Sequence, residues 1–558
     1  METSCLDLGP LEGIGEDILR TLLDYIAIPG FTGTAKEKEI TPYLLGFLGQ
    51  ISYFRQNPDH YGSFEIPEDP FGRQVVWALL RKSPKKDTVV FMHHSDVVGI
   101  EDFKSLKEFA FSPDLLSKHL SKMNLPEDVA ADLESGDFLF GRGTADMKGG
   151  GSIQLNLLKR YAEDPAFTGN ILQIIVPDEE NLSAGMRGAA SLMRELKEKY
   201  RLHFLLMINS EPHARRKPEE ALLYEGSVGK CMPFVYLRGR LAHSGSPFQG
   251  FNPIRLLAEI IRLTELNPAF SDRSLKEVSP PPTWLYARDQ KENYDVSLPL
   301  NAYGYFSVLS LQKTPGEILS ALRSCCMEAF SLVIGQMRRR WEDFCSLSEK
   351  EPSPLPWEPL VLDCRELYEK AAEKGKDRFL RAYENLKKQL RKETDQGRLT
   401  LAQANFKLIE LLDNFSELED PAIIYGLLPP YYPPVSNFTL PNLSQKIRSL
   451  SEELNSFAQE QFGETCLREH FFMGISDLSY SSITDYEEIQ GSIERCMPML
   501  GDFYSLPFSD IHAISMPCIN IGPWGKDLHK LTERIYLPDL LDHTPKLIDK
   551  ALQILFSS

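Results

Sequence analysis

Cysteine is scarce in this 558-residue chain: nine, an odd number, spread from Cys5 to Cys518 without a C-x-x-C pair. That pattern excludes a thiolate zinc site and a disulfide framework, and it suits a reducing compartment. Positive charge is also in deficit, with 61 Lys and Arg against 79 Asp and Glu and a net charge of −18. Nucleic acid or an anionic membrane surface would find little to hold it by charge. No stretch approaches the length of a membrane span, and the start, Met-Glu-Thr-Ser-Cys-Leu-Asp, lacks the basic region and apolar core of a secretory leader. The expectation is a cytoplasmic protein with neither nucleic-acid nor membrane partners. Repeats are lacking too, while 42% hydrophobic and 25% charged residues are globular values. A chain of this length calls for about two or three domains.

What is present is an alternation of elements. Apolar runs at 74–80, 88–92, 171–176 and 204–208 read as buried strands, and runs of helical period at 16–28, 152–161 and 189–200 lie between and around them. This predicts an α/β sheet with helices on both faces and its chemistry in loops at the carboxyl ends of strands. Beyond Lys230 the order becomes strand 231–237, helix 252–266, strands 284–287 and 302–309, helix 315–344 and strand 360–362, a βαββαβ domain inserted in the first. Residues 366–414 are rich in charge, with Phe379, Tyr383, Leu386 and Leu390 at helical spacing, and read as an amphipathic extension with a solvated face. The first domain is expected to resume at Ala422. The predicted boundaries are therefore 1–231 and 421–558 for the first domain, 232–365 for the insert and 366–420 for the extension.

The stretch around which the chain is organised is Phe140-Gly-Arg-Gly-Thr-Ala-Asp146-Met-Lys-Gly-Gly-Gly151. Its glycines allow positive φ and a close approach to an ion, so the single carboxylate among them suggests a metal bridge. Alone, such a turn is more often a plain connection. Four other stretches could complete a site. His94 in His93-His-Ser-Asp96 follows a strand, and Asp96 is placed to orient its imidazole. Pro177-Asp-Glu-Glu180 crowds three carboxylates that repel unless solvated or offset by a cation. If it is a site, Glu180 binds metal and Glu179 is free to take a proton. Glu211 ends another strand, and His529 follows the glycine turn Gly522-Pro-Trp-Gly. Gly226-Ser-Val-Gly-Lys230 is too short for a phosphate loop, and Cys325-Cys326 reads as core filling.

The ordered set is His94-x-Asp96, Gly143-Thr-Ala-Asp146-Met-Lys-Gly-Gly, Asp178-Glu-Glu180, Glu211-Pro and Gly522-Pro-x-x-x-x-x-His529, with Ala242-His-Ser-Gly-x-Pro-x-x-Gly-x-Asn252 in the insert. In this the sequence resembles the cocatalytic zinc exopeptidases and deacylases, the family of carboxypeptidase G, aminoacylase, acetylornithine deacetylase and succinyl-diaminopimelate desuccinylase. Within it, the chain looks most like the arginine-utilisation branch of the RocB type. The resemblance implies an α/β zinc-exopeptidase-like catalytic domain with a mixed central sheet, an α+β lid and dimerisation domain, and a homodimer. It also implies two zinc ions bridged by Asp146, one held by His94 and Glu211 and the other by Glu180 and His529, with Co2+ or Mn2+ as substitutes. Glu179 would be the general base, Asp96 the support of His94, and Asp146-Met147 a cis peptide. His243 looks like the lid histidine that reaches the partner subunit's site, with Asn252 nearby.

The pattern also departs from the family. Relatives that hydrolyse N-acyl amino acids carry arginine in Ser-Asp-Ala-Arg and on a lid strand, both suited to a free carboxylate. Here the first reads Gly474-Ile-Ser-Asp-Leu-Ser479, the second stretch, 303–311, has no arginine, and Arg187 is the candidate substitute. The reading is a dizinc hydrolase of a small peptide or N-acyl amino acid-like amide, tied by resemblance to arginine or amino-acid catabolism. Its rivals are a hydrolase of some other small amide and a non-catalytic ligand-binding relative.

Overall fold

The apolar runs of the first third become neighbouring strands of one mixed eight-stranded sheet. The computed structural model describes residues 13–557, which divide into two units. The first unit runs to Ser227 and takes in Val435–Thr484 and the chain from Pro507 onward. Its sheet has the order Tyr61–Glu65, Gln74–Arg81, Asn170–Val176, Asp87–His94, His203–Asn209, Cys518–Asn520, Glu220–Tyr224, Thr465–Glu469. Asn170–Val176, Asp87–His94 and His203–Asn209 run parallel, with His94 level with Val176 and Met92 with Asn209. Their carboxyl ends therefore meet at one edge, as the sequence predicts for the chemistry.

One face of this sheet is packed by the helices Ile14–Ile26, Gly149–Glu163 and Thr544–Phe556, whose Leu22, Leu155 and Ile548 join Phe91, Ile171 and Ile208 in one core. The helix Ala184–Tyr200 packs on Gln74–Arg81 and Asn170–Val176 outside that core. Strands covered on both faces lose polar alternation, which is why these read as continuous apolar runs.

The second unit comprises Val228–Pro434 and Asp485–Leu506. Its five-stranded sheet has the order Thr283–Asp289, Asn301–Ser310, Gly229–Arg238, Ala422–Tyr432, Val361–Asp363. The expected βαββαβ elements are all here, but two boundaries are corrected. Ala422 does not return the chain to the first domain: Ala422–Tyr432 pairs antiparallel with Gly229–Arg238 and parallel with Val361–Asp363. All eleven of its residues are buried, and an unbroken apolar run does not reveal which sheet it joins. Nor is 366–420 separate. The helices Cys364–Asp395 and Leu401–Ser416 cover one face of this sheet, with Phe379, Phe406 and Ile409 packed against Phe234, Tyr236 and Ile424.

The helix Pro315–Leu347 corrects a third expectation, since its length and an 18-residue stretch of mean hydropathy 1.5 would suffice to cross a membrane. Ile318, Leu322, Phe330 and Val333 of this helix are buried, which gives the apolar stretch a packing role in the fold.

Phe379 and Phe406 tie the extension to the sheet. Replacing either by alanine should cost about 3–5 kcal/mol in chemical denaturation of the full chain. A loss below about 1 kcal/mol would mean that the extension does not share the core.

Candidate metal centre

Each predicted ligand stands where a strand or turn ends. His94 closes Asp87–His94, Glu179 and Glu180 follow Asn170–Val176 on one side, and Glu211 follows His203–Asn209 on the other. Asp146 lies in the turn before Gly149–Glu163, and His529 in the loop between Gly525–Lys526 and Arg534–Tyr536.

The fold draws these side chains together. His94 Nε2 is 3.1 Å from Asp146 Oδ1 and 3.6 Å from Glu211 Oε1. On the other side His529 Nε2 is 3.1 Å from Asp146 Oδ2 and 3.0 Å from Glu180 Oε1. Asp146 thus turns one oxygen to each of two imidazole–carboxylate pairs, and Glu179 forms a further group with His94 and Glu180. Ligand atoms around a tetrahedral zinc ion at about 2.0–2.1 Å lie about 3.3 Å apart, so both pairs with their Asp146 oxygen have the spacing of a metal-binding set.

The charges point the same way. Burial raises Glu179 and Glu211 well above the usual carboxyl range and raises Glu180, and the surrounding carboxylates add to each shift. Against burial, Glu211, Asp146 and Asp96 push His94 well up; Asp146 and Glu180 push His529 up to about 10. Burial opposes ionisation of Asp146 too, but the two imidazoles hold it well below its ordinary value. Such a constellation is short of positive charge, and two divalent cations would supply it.

The backbone beneath is held by groups that fix the ligands' angles. His94 Nδ1 faces the Asp96 carbonyl at 3.2 Å, leaving Nε2 for the centre. The Asp96 carboxylate also accepts the N–H groups of Glu179 and Glu180, at 3.2 and 3.3 Å. The Asp146-Met147 peptide is cis, as the resemblance implied. Gly143 has φ 74–80°-type left-handed geometry, with φ 76°, and an added Cβ would lie 2.7 Å from Val97. A Cβ on Gly150 would lie 2.0 Å from the Ser210 carbonyl, so glycine lets this helix start against the strand end that carries Glu211.

Four contributors escaped the sequence reading. Buried Glu533 accepts the Gly143 N–H at 2.8 Å and those of Ala145 and Asp146 at 3.4 Å, and pairs with Arg142. Its only signal is a place four residues after His529. Lys148, lowered to about 7 by burial, donates to the carbonyls of Tyr25, Ile28 and Pro29 and ties the first helix to the Asp146 turn. Asp477 is buried in the stretch where relatives carry arginine, and burial pushes it up to about 7.

Three predicted residues are placed elsewhere. Exposed His243 belongs to the second unit, where its Nδ1 accepts the Gly245 N–H at 3.0 Å. Asn252 caps the helix Pro253–Thr264 through the Ile254 N–H, which makes it a helix terminator in this fold. Arg187 turns back on its own helix start, its Nε donating to the Leu182 carbonyl at 3.2 Å.

The sequence profile of peptidase family M20/M25/M40 matches residues 122–482. The chain belongs to this family. It is accordingly a metal-dependent hydrolase of the peptidase type. It is 34% identical to the uncharacterized protein YqjN of Bacillus subtilis (strain 168), over 97% of this chain and 96% of that one. Protein RocB of the same organism is 29% identical over 96% of this chain and 94% of RocB. In fold it is similar to the aminopeptidase PepT from Bacillus cereus ATCC 10987, with a TM-score of 0.52, 14% identity, and coverage of 98% of this chain and 100% of that one.

A second acid–imidazole group in this M20-family chain, Glu464, Asp539 and His543, is closed by a guanidinium. Arg215 reaches Glu464 at 2.8 and 3.0 Å and Asp539 at 2.6 Å. Burial works to lower His543, but Asp539 and Glu464 outweigh it and push it up to about 9. A raised folded-state value stabilises fully below the unfolded value of about 6.5 and is lost as pH rises through about 9. The gap in melting temperature between wild type and H543Q should therefore be widest near pH 6 and narrow toward pH 9. A gap that widens with pH would refute this assignment.

Proposed function

We propose that this chain hydrolyses an amide or peptide bond of a small peptide or N-acyl amino acid-like substrate at a two-zinc centre. The observation that carries the reading is the two-sided Asp146, with His94 and Glu211 at one oxygen and Glu180 and His529 at the other. Two zinc ions held there would polarise the scissile carbonyl and make a shared water acidic, and Co2+ or Mn2+ could replace them.

The chain's own groups do the rest. Glu179 takes the proton of the attacking water and delivers it to the leaving amine, a role favoured by a burial-raised pKa that lets the carboxyl hold a proton near neutrality. Asp96 keeps His94 in the tautomer that leaves Nε2 free, and its grip on the Glu179 and Glu180 amides sets base and ligand side by side. His243 is assigned to oxyanion stabilisation in a partner subunit, which makes the working form a homodimer through the second unit. Similarity to RocB supports a place in arginine or other amino-acid catabolism, and the composition supports a cytoplasmic setting.

One observation favours a second reading of the substrate. Asp477 and Leu478 stand where a carboxylate-gripping arginine is expected, so a small amide without a free α-carboxylate would fit better than an N-acyl amino acid.

Metal analysis of the purified chain should give close to two zinc per chain, and a dipeptide and acyl-amino-acid panel followed by amine release should identify the substrate. E179A should keep the metal and lose at least about a hundredfold in rate. A chain that takes up no metal on reconstitution would support the non-catalytic relative. Full activity in the monomer on dilution would remove His243 from the mechanism.

A further inference from the structure

The loop that carries both Glu179 and Glu180 is anchored at its first residue to a group remote in sequence. Asp178 is fully buried and, though not glycine, has a left-handed φ of 68°. That conformation persists only where surroundings enforce it. Its Oδ2 accepts the Ala184 N–H at 3.0 Å, its carbonyl accepts the Ser183 N–H at 2.7 Å, and its Oδ1 accepts from Arg73 Nη1.

Arg73 is itself almost fully buried, 4% exposed, just before the strand Gln74–Arg81. The same Nη1 donates to Glu37 Oε1 at 2.9 Å, and Nε and Nη2 both reach Asp69 Oδ1, at 3.0 and 2.6 Å. Asp69 Oδ2 in turn accepts the Arg73 N–H at 2.8 Å. One guanidinium thus joins the turn Ala35–Glu39, the connection between Tyr61–Glu65 and Gln74–Arg81, and the Glu179–Glu180 loop. Three carboxylates on one cation are a poor device for stability, since buried ion pairs rarely outdo apolar packing. They are a good device for direction, because the planar fork fixes each partner's angle, which the point charge of a lysine does not.

Resting on the two-metal reading above, the geometry points to Arg73 as a positioning residue: through Asp178 it aims Glu180 at the metal it shares with His529, and Glu179 at the reacting water. The pair sharing His94 and Glu211 is built on other strands and does not depend on this tether.

The test uses the full chain exchanged into Co2+, with affinity measured against a chelator series and each equivalent followed by visible absorption. Wild type should bind two Co2+ per chain. In R73M and in D178N the first equivalent should bind as in wild type, while the second weakens about tenfold or more and its band shifts, the size expected for groups that orient a ligand. R73K should not restore it. D178N, nearly isosteric, decides the matter if R73M does not fold. Two equivalents bound with wild-type affinity and spectrum in both variants would overturn the proposal. Equal weakening of both equivalents in step with a lowered melting temperature would also overturn it, as the mark of a purely structural brace. A wild type that binds fewer than two Co2+ would instead refute the two-metal reading itself.

Discussion

Four carboxylates and two imidazoles stay within hydrogen-bonding distance only if positive charge lies among them. The structure meets that constraint around Asp146, whose two oxygens face separate imidazole–carboxylate pairs at 3.0–3.6 Å. Protons on His94 and His529 can balance part of the charge, and divalent ions do so more completely. Most of the local architecture exists to prevent these side chains from relaxing apart.

That restraint is delivered by buried polar groups on the backbone, one beneath each ligand-bearing turn. Glu533 gathers the N–H groups of the Asp146 turn, Asp96 those of Glu179 and Glu180, and Arg73 reaches the latter loop from behind through Asp178. Lys148 ties the same turn to the end of the first helix. A buried acceptor left without its donors costs about 1–3 kcal/mol, so each brace resists movement of the turn it holds. The restraints come from five segments far apart in sequence, which makes the centre a property of the folded sheet and not of any one motif.

This explains how far the sequence could be read. His94, Glu180 and Glu211 were legible because each follows an apolar run, and three parallel strands in the order Asn170–Val176, Asp87–His94, His203–Asn209 set their ends side by side. Asp146 was legible because glycine is required around it. Glu533 and Arg73 were not, since an acidic residue after a loop and an arginine before a strand are ordinary surface chemistry until the topology buries them. The same limit governs the fold: Ala422–Tyr432 is visibly a buried strand, yet nothing in an unbroken apolar run says which of two sheets it completes. Asn252 failed differently. Its type suits a polar contact anywhere, and the proline after it makes helix capping the stronger local demand.

The second unit carries a related argument. Covering one face of its sheet with Cys364–Asp395 and Leu401–Ser416 buries Phe234, Tyr236 and Ile424, so that face is taken by the chain itself. The strand Thr283–Asp289 remains at one end of the sheet, with its side chains exposed or half-buried. Only Trp284 among them has its N–H turned to a side chain, that of Glu265 at 2.7 Å. An edge with free backbone groups is a template for further pairing unless something covers it. For the proposed homodimer this is a selective constraint: the extension closes association through the sheet's face and leaves the edge, beside the segment that bears His243, as the route by which a second copy would add to it.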